Sequence, residues 1–191
     1  MEETSEQKYI PQWGGIHHLA MITPDMDETV RFYSGVLQMP LVATLRAESM
    51  RHYFFQLAPG NTIAFFEVAE AEKVSKLAGL MTEKNIQFDH LSFFLSTEQE
   101  LLLLADRLKE ENCEVTALVD HGIIRSIYFH DNNGIALEAS CWTVDIDDLG
   151  FKPDDEILFA DPEPVPAIKE LQNGTLQNIP STKFPEFKPP L

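Results

Sequence analysis

The feature that most constrains how this chain can fold is an internal repeat. "IHHLAMITPDMDETVRFY" (16–33) and "FDHLSFFLSTEQELLLLADRL" (88–108) each run from a short apolar strand carrying a histidine into a helix. His18 and His90 hold the same place in the two copies, 72 residues apart. Alternation along an extended strand turns His17 to the opposite face from His18. Helix-start chemistry follows each strand. Thr23 or Asp25 can cap the first helix with Pro24 beside it, and Ser96 with Gln99 forms a capping box for the second. Val30, Tyr33 and Leu37, then Leu101, Leu104, Ala105 and Leu108, carry the spacing of a helix face turned to a core.

Three extended segments follow each helix: "LVATLRA", "MRHYFFQLA" and "NTIAFFEVA" in the first copy, "CEVTALVD", "RSIYFHD" and "GIALEAS" in the second. Pro59-Gly60-Asn61 and Asn132-Asn133-Gly134 supply the turns before the last strands. The predicted fold class is α+β, with two tandem strand–helix–three-strand modules. The expected organisation is an N-terminal extension (1–13), a first module (14–70), a connector (71–85), a second module (86–144) and a tail (145–191). The tail holds eight of the twelve prolines and lacks the pattern of long regular elements. An acid closes each module, Glu67 after "IAFF" and Glu138 after "IAL", 71 residues apart. Both ends of the repeat thus carry a side chain able to bind metal.

A net charge of −17 argues against nucleic acid and against anionic lipid, since both need clustered Lys and Arg. No apolar run reaches the length of a membrane span. The acidic start "MEETSEQKYIPQW" has no signal-peptide pattern, so the expected location is cytoplasmic. Cys113 and Cys141 lack metal-type spacing and read as reduced thiols.

Residues 14–142 resemble the vicinal oxygen chelate superfamily, which includes glyoxalase I, type I extradiol dioxygenases, fosfomycin-resistance proteins and bleomycin-binding proteins. The resemblance rests on "HHLAMITPDMDETVRFY", on "DHLSFFL" and on the duplicated module. It implies a curled, mostly antiparallel sheet around a metal cleft. It also implies a divalent metal on His18, His90 and Glu138, with Glu67 as candidate fourth ligand and proton-transfer base. Fe(II) is favoured, with Mn(II), Ni(II) or Zn(II) as alternatives. Such a set leaves coordination positions for a small molecule with two neighbouring oxygens.

A narrower likeness lies in "VDHGIIRSIYFHDNNGIALE" (119–138), which is similar to the extradiol ring-cleavage signature except that Asn132 stands where that signature has proline. By that likeness His121 and Tyr128 are catalytic. The stretch "HYFFQLAPGNTIAF" is similar to the extradiol segment bearing an acid–base histidine, but Asn61 occupies that position. His52 and Asn61 are therefore expected in the substrate pocket. The implied function is a metal-dependent enzyme, with ring-cleaving dioxygenase ahead of a glyoxalase-type lyase or isomerase. A non-catalytic binding protein of the bleomycin-resistance kind is the third reading. A homodimer is compatible with all three.

Overall fold

A computed structural model describes residues 14–47, 50–72, 76–80 and 88–176. Expectations for residues 1–13 and for most of the connector lie outside these. The chain divides into two compact units, Met1–Val144 and Asp145–Leu191.

The first unit carries the repeat. In the first module β1 (His18–Thr23) leads to α1 (Met26–Val30), then to β2 (Leu41–Ala47), β3 (Met50–Ala58) and β4 (Asn61–Glu67). Asp25 caps α1 by accepting from Glu28 N at 3.0 Å. The helix continues through Val36 in wider turns, with Leu37 N donating to Phe32 O. Thr29, Phe32 and Tyr33 are buried on its inner side. In the second module β5 (Leu91–Phe94) leads to α2 (Glu98–Glu110), β6 (Val119–Asp120), β7 (Ile124–His130) and β8 (Ala136–Trp142). The capping box sits one residue later than expected: Thr97 accepts from Glu100 N, and Glu100 Oε2 accepts from both Ser96 N and Thr97 N. That double grip selects Glu100 over Gln99.

The strands form two four-stranded sheets, ordered β1-β4-β3-β2 and β5-β8-β7-β6. Among the described strands only β1–β4 and β5–β8 pair in parallel. The repeat therefore folds as two tandem βαβββ modules of the α+β class, in two mostly antiparallel, four-stranded mixed sheets that do not close on each other. The strand expected over 113–120 shrinks to two residues plus one bridge between Val115 and Phe129. Its ladder is interrupted because the Thr116 hydroxyl takes the Tyr128 N–H at 3.0 Å.

Register decides which side chains share a face. Met21, Thr23, Phe55, Ile63 and Phe65 turn one way and pack with Tyr33; Phe93, Ile127, Leu137 and Ala139 turn likewise and pack with Leu101 and Leu108. These residues belong to one continuous core, so the helix-bearing sides of the two modules are buried together. Buried polar contacts cross between them. Thr23 Oγ1 donates to Asn133 Oδ1 at 2.9 Å, and Tyr33 Oη donates to Asp131 Oδ2 at 3.2 Å. Arg107 reaches the carbonyls of Gly35 and Val36, satisfying groups left over at a helix end. The other sheet faces, bearing His18 and Glu138, turn away from this core.

The second unit contains a short 3-10 turn (Ile146–Asp148) and α3 (Pro166–Gln172), with Pro166 in its first turn. Phe151 and Phe159 meet edge to face within it.

Candidate metal centre

His90 lies just ahead of β5 and faces the last strand of its module. Its Nε2 stands 2.7 Å from Glu138 Oε2. Glu138 is 3% exposed, on β8, directly opposite Tyr128 of β7. Burial alone would raise its pKa. Ser126, Ser140 and Tyr128 around the carboxylate, together with the charge of His90, outweigh that and hold it below the usual range. The serine hydroxyls are mainly turned to each other: Ser92 to Ser140 at 2.8 Å, and Ser126 to Ser140 at 3.1 Å. Glu138 Oε1 is left buried with no hydrogen-bond partner. An unpaired carboxylate oxygen in such a place is costly. Beside an imidazole nitrogen, it is the donor chemistry a divalent cation accepts.

Tyr128 extends this group. Its hydroxyl lies 2.8 Å from His121 Nε2. Burial, then its contact with Glu138, pushes the phenol above its ordinary pKa, so Tyr128 stays protonated and can donate. His121 is exposed and can exchange protons with solvent. His90, Glu138, Tyr128 and His121 thus form a continuous polar strip on the outward face of the second sheet.

His18 lies apart from this strip. It is exposed on the outward face of the first sheet, with its ring 6.4 Å from His52 and 5.7 Å from Phe54. Among the described residues no three His, Cys, Asp or Glu side chains are grouped so as to hold a metal ion. One chain therefore unites His90 with Glu138 and does not bring in His18. Alternation also fails for His17. The strand begins only at His18, after Gly15 at φ +99°, and His17 swings round to put its Nδ1 2.9 Å from His18 Nδ1.

Glu67 is not a partner of His18. In the register of β1 with β4, His18 pairs Thr62 and Thr23 pairs Glu67, so Glu67 shares a face with Thr23 and the core. There Oε1 accepts from Met26 N at 3.0 Å, at the first turn of α1, and Oε2 pairs with Arg51. Comparing the two parallel pairs shows why the sequence match misleads. Leu91 pairs Leu137, so the residue two beyond the partner of His90 is Glu138. The same step from Thr62 reaches Ala64. The first module has alanine where the second has its acid.

His52 does share the His18 face. It stacks on Phe66 with centroids 3.7 Å apart, and its Nε2 is buried and unpaired. Burial, then the neighbouring His18, lowers its pKa. Asn61 is used locally: Nδ2 donates to Pro59 O at 3.0 Å, and a side chain at Gly15 would strike its Oδ1. Asp89 went unremarked in the sequence. It accepts from Lys76 Nζ at 2.6 Å and from Gly79 N at 2.8 Å, and contacts His90 Nδ1 at 2.6 Å. Its adjacency to His90 was the available signal.

The model of the Glyoxalase/Bleomycin resistance protein/Dioxygenase superfamily matches residues 15–139. The chain belongs to this superfamily. Solved structures with the same fold include a glyoxylase/bleomycin resistance protein/dioxygenase domain from Frankia sp. EAN1pec. It is 24% identical, with TM-score 0.58, over 69% of this chain and 99% of that one. The fosfomycin resistance protein FosX from Listeria monocytogenes aligns at 21% identity and TM-score 0.51, over 70% and 97% of the two chains. A glyoxalase/dioxygenase from Nostoc punctiforme aligns at 18% and 0.54, over 69% and 92%. No curated protein matches the sequence. At these identities the likeness is one of fold. Superfamily members generally bind divalent metals and small-molecule substrates, and often form dimers. No described helix is long and apolar enough to cross a membrane.

Proposed function

We propose that this superfamily member is a metal-dependent enzyme acting on a small molecule with two adjacent oxygens, of the ring-cleaving dioxygenase type. One observation carries the reading: Glu138 Oε1 is buried and unpaired beside His90, directly across the sheet from Tyr128, whose hydroxyl meets His121. His90 and Glu138 would supply two ligands. His18, exposed on the outward face of the first sheet, would supply the third from a second copy of the chain, making the active form a homodimer. Held by these residues, Fe(II) would supply Lewis acidity toward two adjacent oxygens and the redox chemistry that dioxygen requires.

The chain's own residues would handle the protons. Tyr128 Oη would donate its single proton toward a substrate oxygen while accepting from His121 Nε2, 2.8 Å away. Ala64 in place of a fourth ligand supports the dioxygenase reading over the glyoxalase one, which uses an acid there. Fe(II) is the favoured metal for the same reason. A panel of catechols, added to anaerobically Fe(II)-loaded protein in an oxygen electrode, tests the proposal. Uptake of one O2 per diol with at least one catechol is expected, and no uptake with any of them refutes it.

A further inference from the structure

The two modules share a contact that the proposed chemistry does not use. In each, the residue just before the ligand histidine meets its ring at Nδ1: His17 on His18 at 2.9 Å, and Asp89 on His90 at 2.6 Å. His17 and Asp89 are themselves 72 residues apart, the spacing of the ligands. Both are anchored. The His17 carbonyl accepts from Thr62 N at 3.0 Å and Thr62 Oγ1 at 3.2 Å, and Asp89 is held by Lys76 and Gly79.

We infer that His17 and Asp89 are positioning residues, which keep the proton of His18 and His90 on Nδ1 and so present each Nε2 lone pair to the metal. The inference rests on the metal-site reading above. A neutral imidazole carries one proton, and the partner of one nitrogen decides which nitrogen keeps it. An ionised carboxylate can only accept, so His90 Nδ1 must donate to Asp89. His90 Nε2 faces Glu138 Oε2 at 2.7 Å, a contact that by the same rule needs a proton on Nε2; a bound ion would replace that proton, while Asp89 keeps the one on Nδ1. The Nδ1 atoms of His17 and His18, 2.9 Å apart, share one proton between them; with it on His18 the neutral ring of His17 accepts, its own proton on Nε2. Charge-assisted bonds are about twice as strong as neutral ones, so the Asp89 contact is the firmer of the two.

The test uses the full chain and reads two quantities: the ring 15N–1H correlations of the histidines, and Zn(II) affinity by competition with a chromophoric chelator. In metal-free wild-type protein the His18 proton is expected on Nδ1. His17→Phe should release it to Nε2 and weaken Zn(II) binding roughly 10-fold, and Asp89→Ala should weaken it up to about 100-fold. Asp89→Asn, which keeps an acceptor oxygen, should recover most of that loss. Lys76→Met removes one of the two other contacts of Asp89 and should leave the His90 ring signals unmoved. A purely structural role would lower the Tm without moving the ring protons. Finding the His18 proton on Nε2 in wild-type protein, or ring signals unchanged by His17→Phe, overturns the inference. So do variants that bind Zn(II) as tightly as wild type, although the metal site then survives. Wild-type protein that takes up no Zn(II), with tautomers responding as expected, removes the metal-site reading and leaves the positioning contacts standing.

Discussion

Replacing Glu138 by Gln separates a residue kept for chemistry from one kept for the fold. In the metal-free protein the carboxylate makes one charge-assisted contact to His90 and leaves Oε1 buried and unpaired. Exchanging that contact for a neutral hydrogen bond costs about 1 kcal/mol, the difference between the typical charged and neutral values. Removing a buried charge with an unsatisfied oxygen returns about 1–3 kcal/mol, less whatever the new amide leaves unpaired. The two nearly cancel. Metal-free Glu138→Gln should therefore lie within about 1.5 kcal/mol of wild type by urea denaturation, on either side. Metal affinity should fall by more than the ~10–100-fold typical of residues that merely orient a ligand. Breaking a buried ion pair that supports the fold costs about 3–5 kcal/mol. A loss of that size with metal affinity intact would refute the assignment.

Two further outcomes are expected. Glu67→Gln should leave Zn(II) affinity unchanged, while the weakened contacts to Met26 N and Arg51 lower stability by about 0.5–2 kcal/mol, read from thermal or urea unfolding. A matching fall in Zn(II) affinity would restore Glu67 to the metal shell. Mixing inactive His18→Ala chains with inactive Glu138→Ala chains should recover activity, because a mixed dimer has one site with both defects and one with neither; no recovery would remove the second copy's His18 from the site.

Much of the architecture was legible because duplication writes itself into the sequence twice. His18 and His90, the capped helices, the Leu101–Leu108 stripe and the paired turns are local signals, each set by a few neighbouring residues. They were enough to give two βαβββ modules and to mark His18, His90, Glu67 and Glu138 as side chains able to bind metal. The errors came where local signals gave out. The capping box slid from Ser96 to Thr97 because two acceptors one residue apart look alike until Glu100 folds back on both amides. The 113–120 strand failed because a side chain, Thr116, took the place of a ladder partner.

Composition and spacing by themselves determined the class of fold, the duplicated histidine and the acid that ends the second module. Tertiary structure decided which acids belong with which histidines. The match of Glu67 to Glu138 differed from the histidine spacing by a single residue, and strand side chains alternate with a period of two. Only the pairing of His18 with Thr62 and of Leu91 with Leu137 shows that the true counterpart of Glu138 is Ala64, and that Glu67 faces the core. It likewise took folded coordinates to separate His18 from His90. Sequence repeats record what each module contains, whereas the face on which two modules meet is chosen by which sides bury the most apolar surface, and here those are the helix-bearing sides.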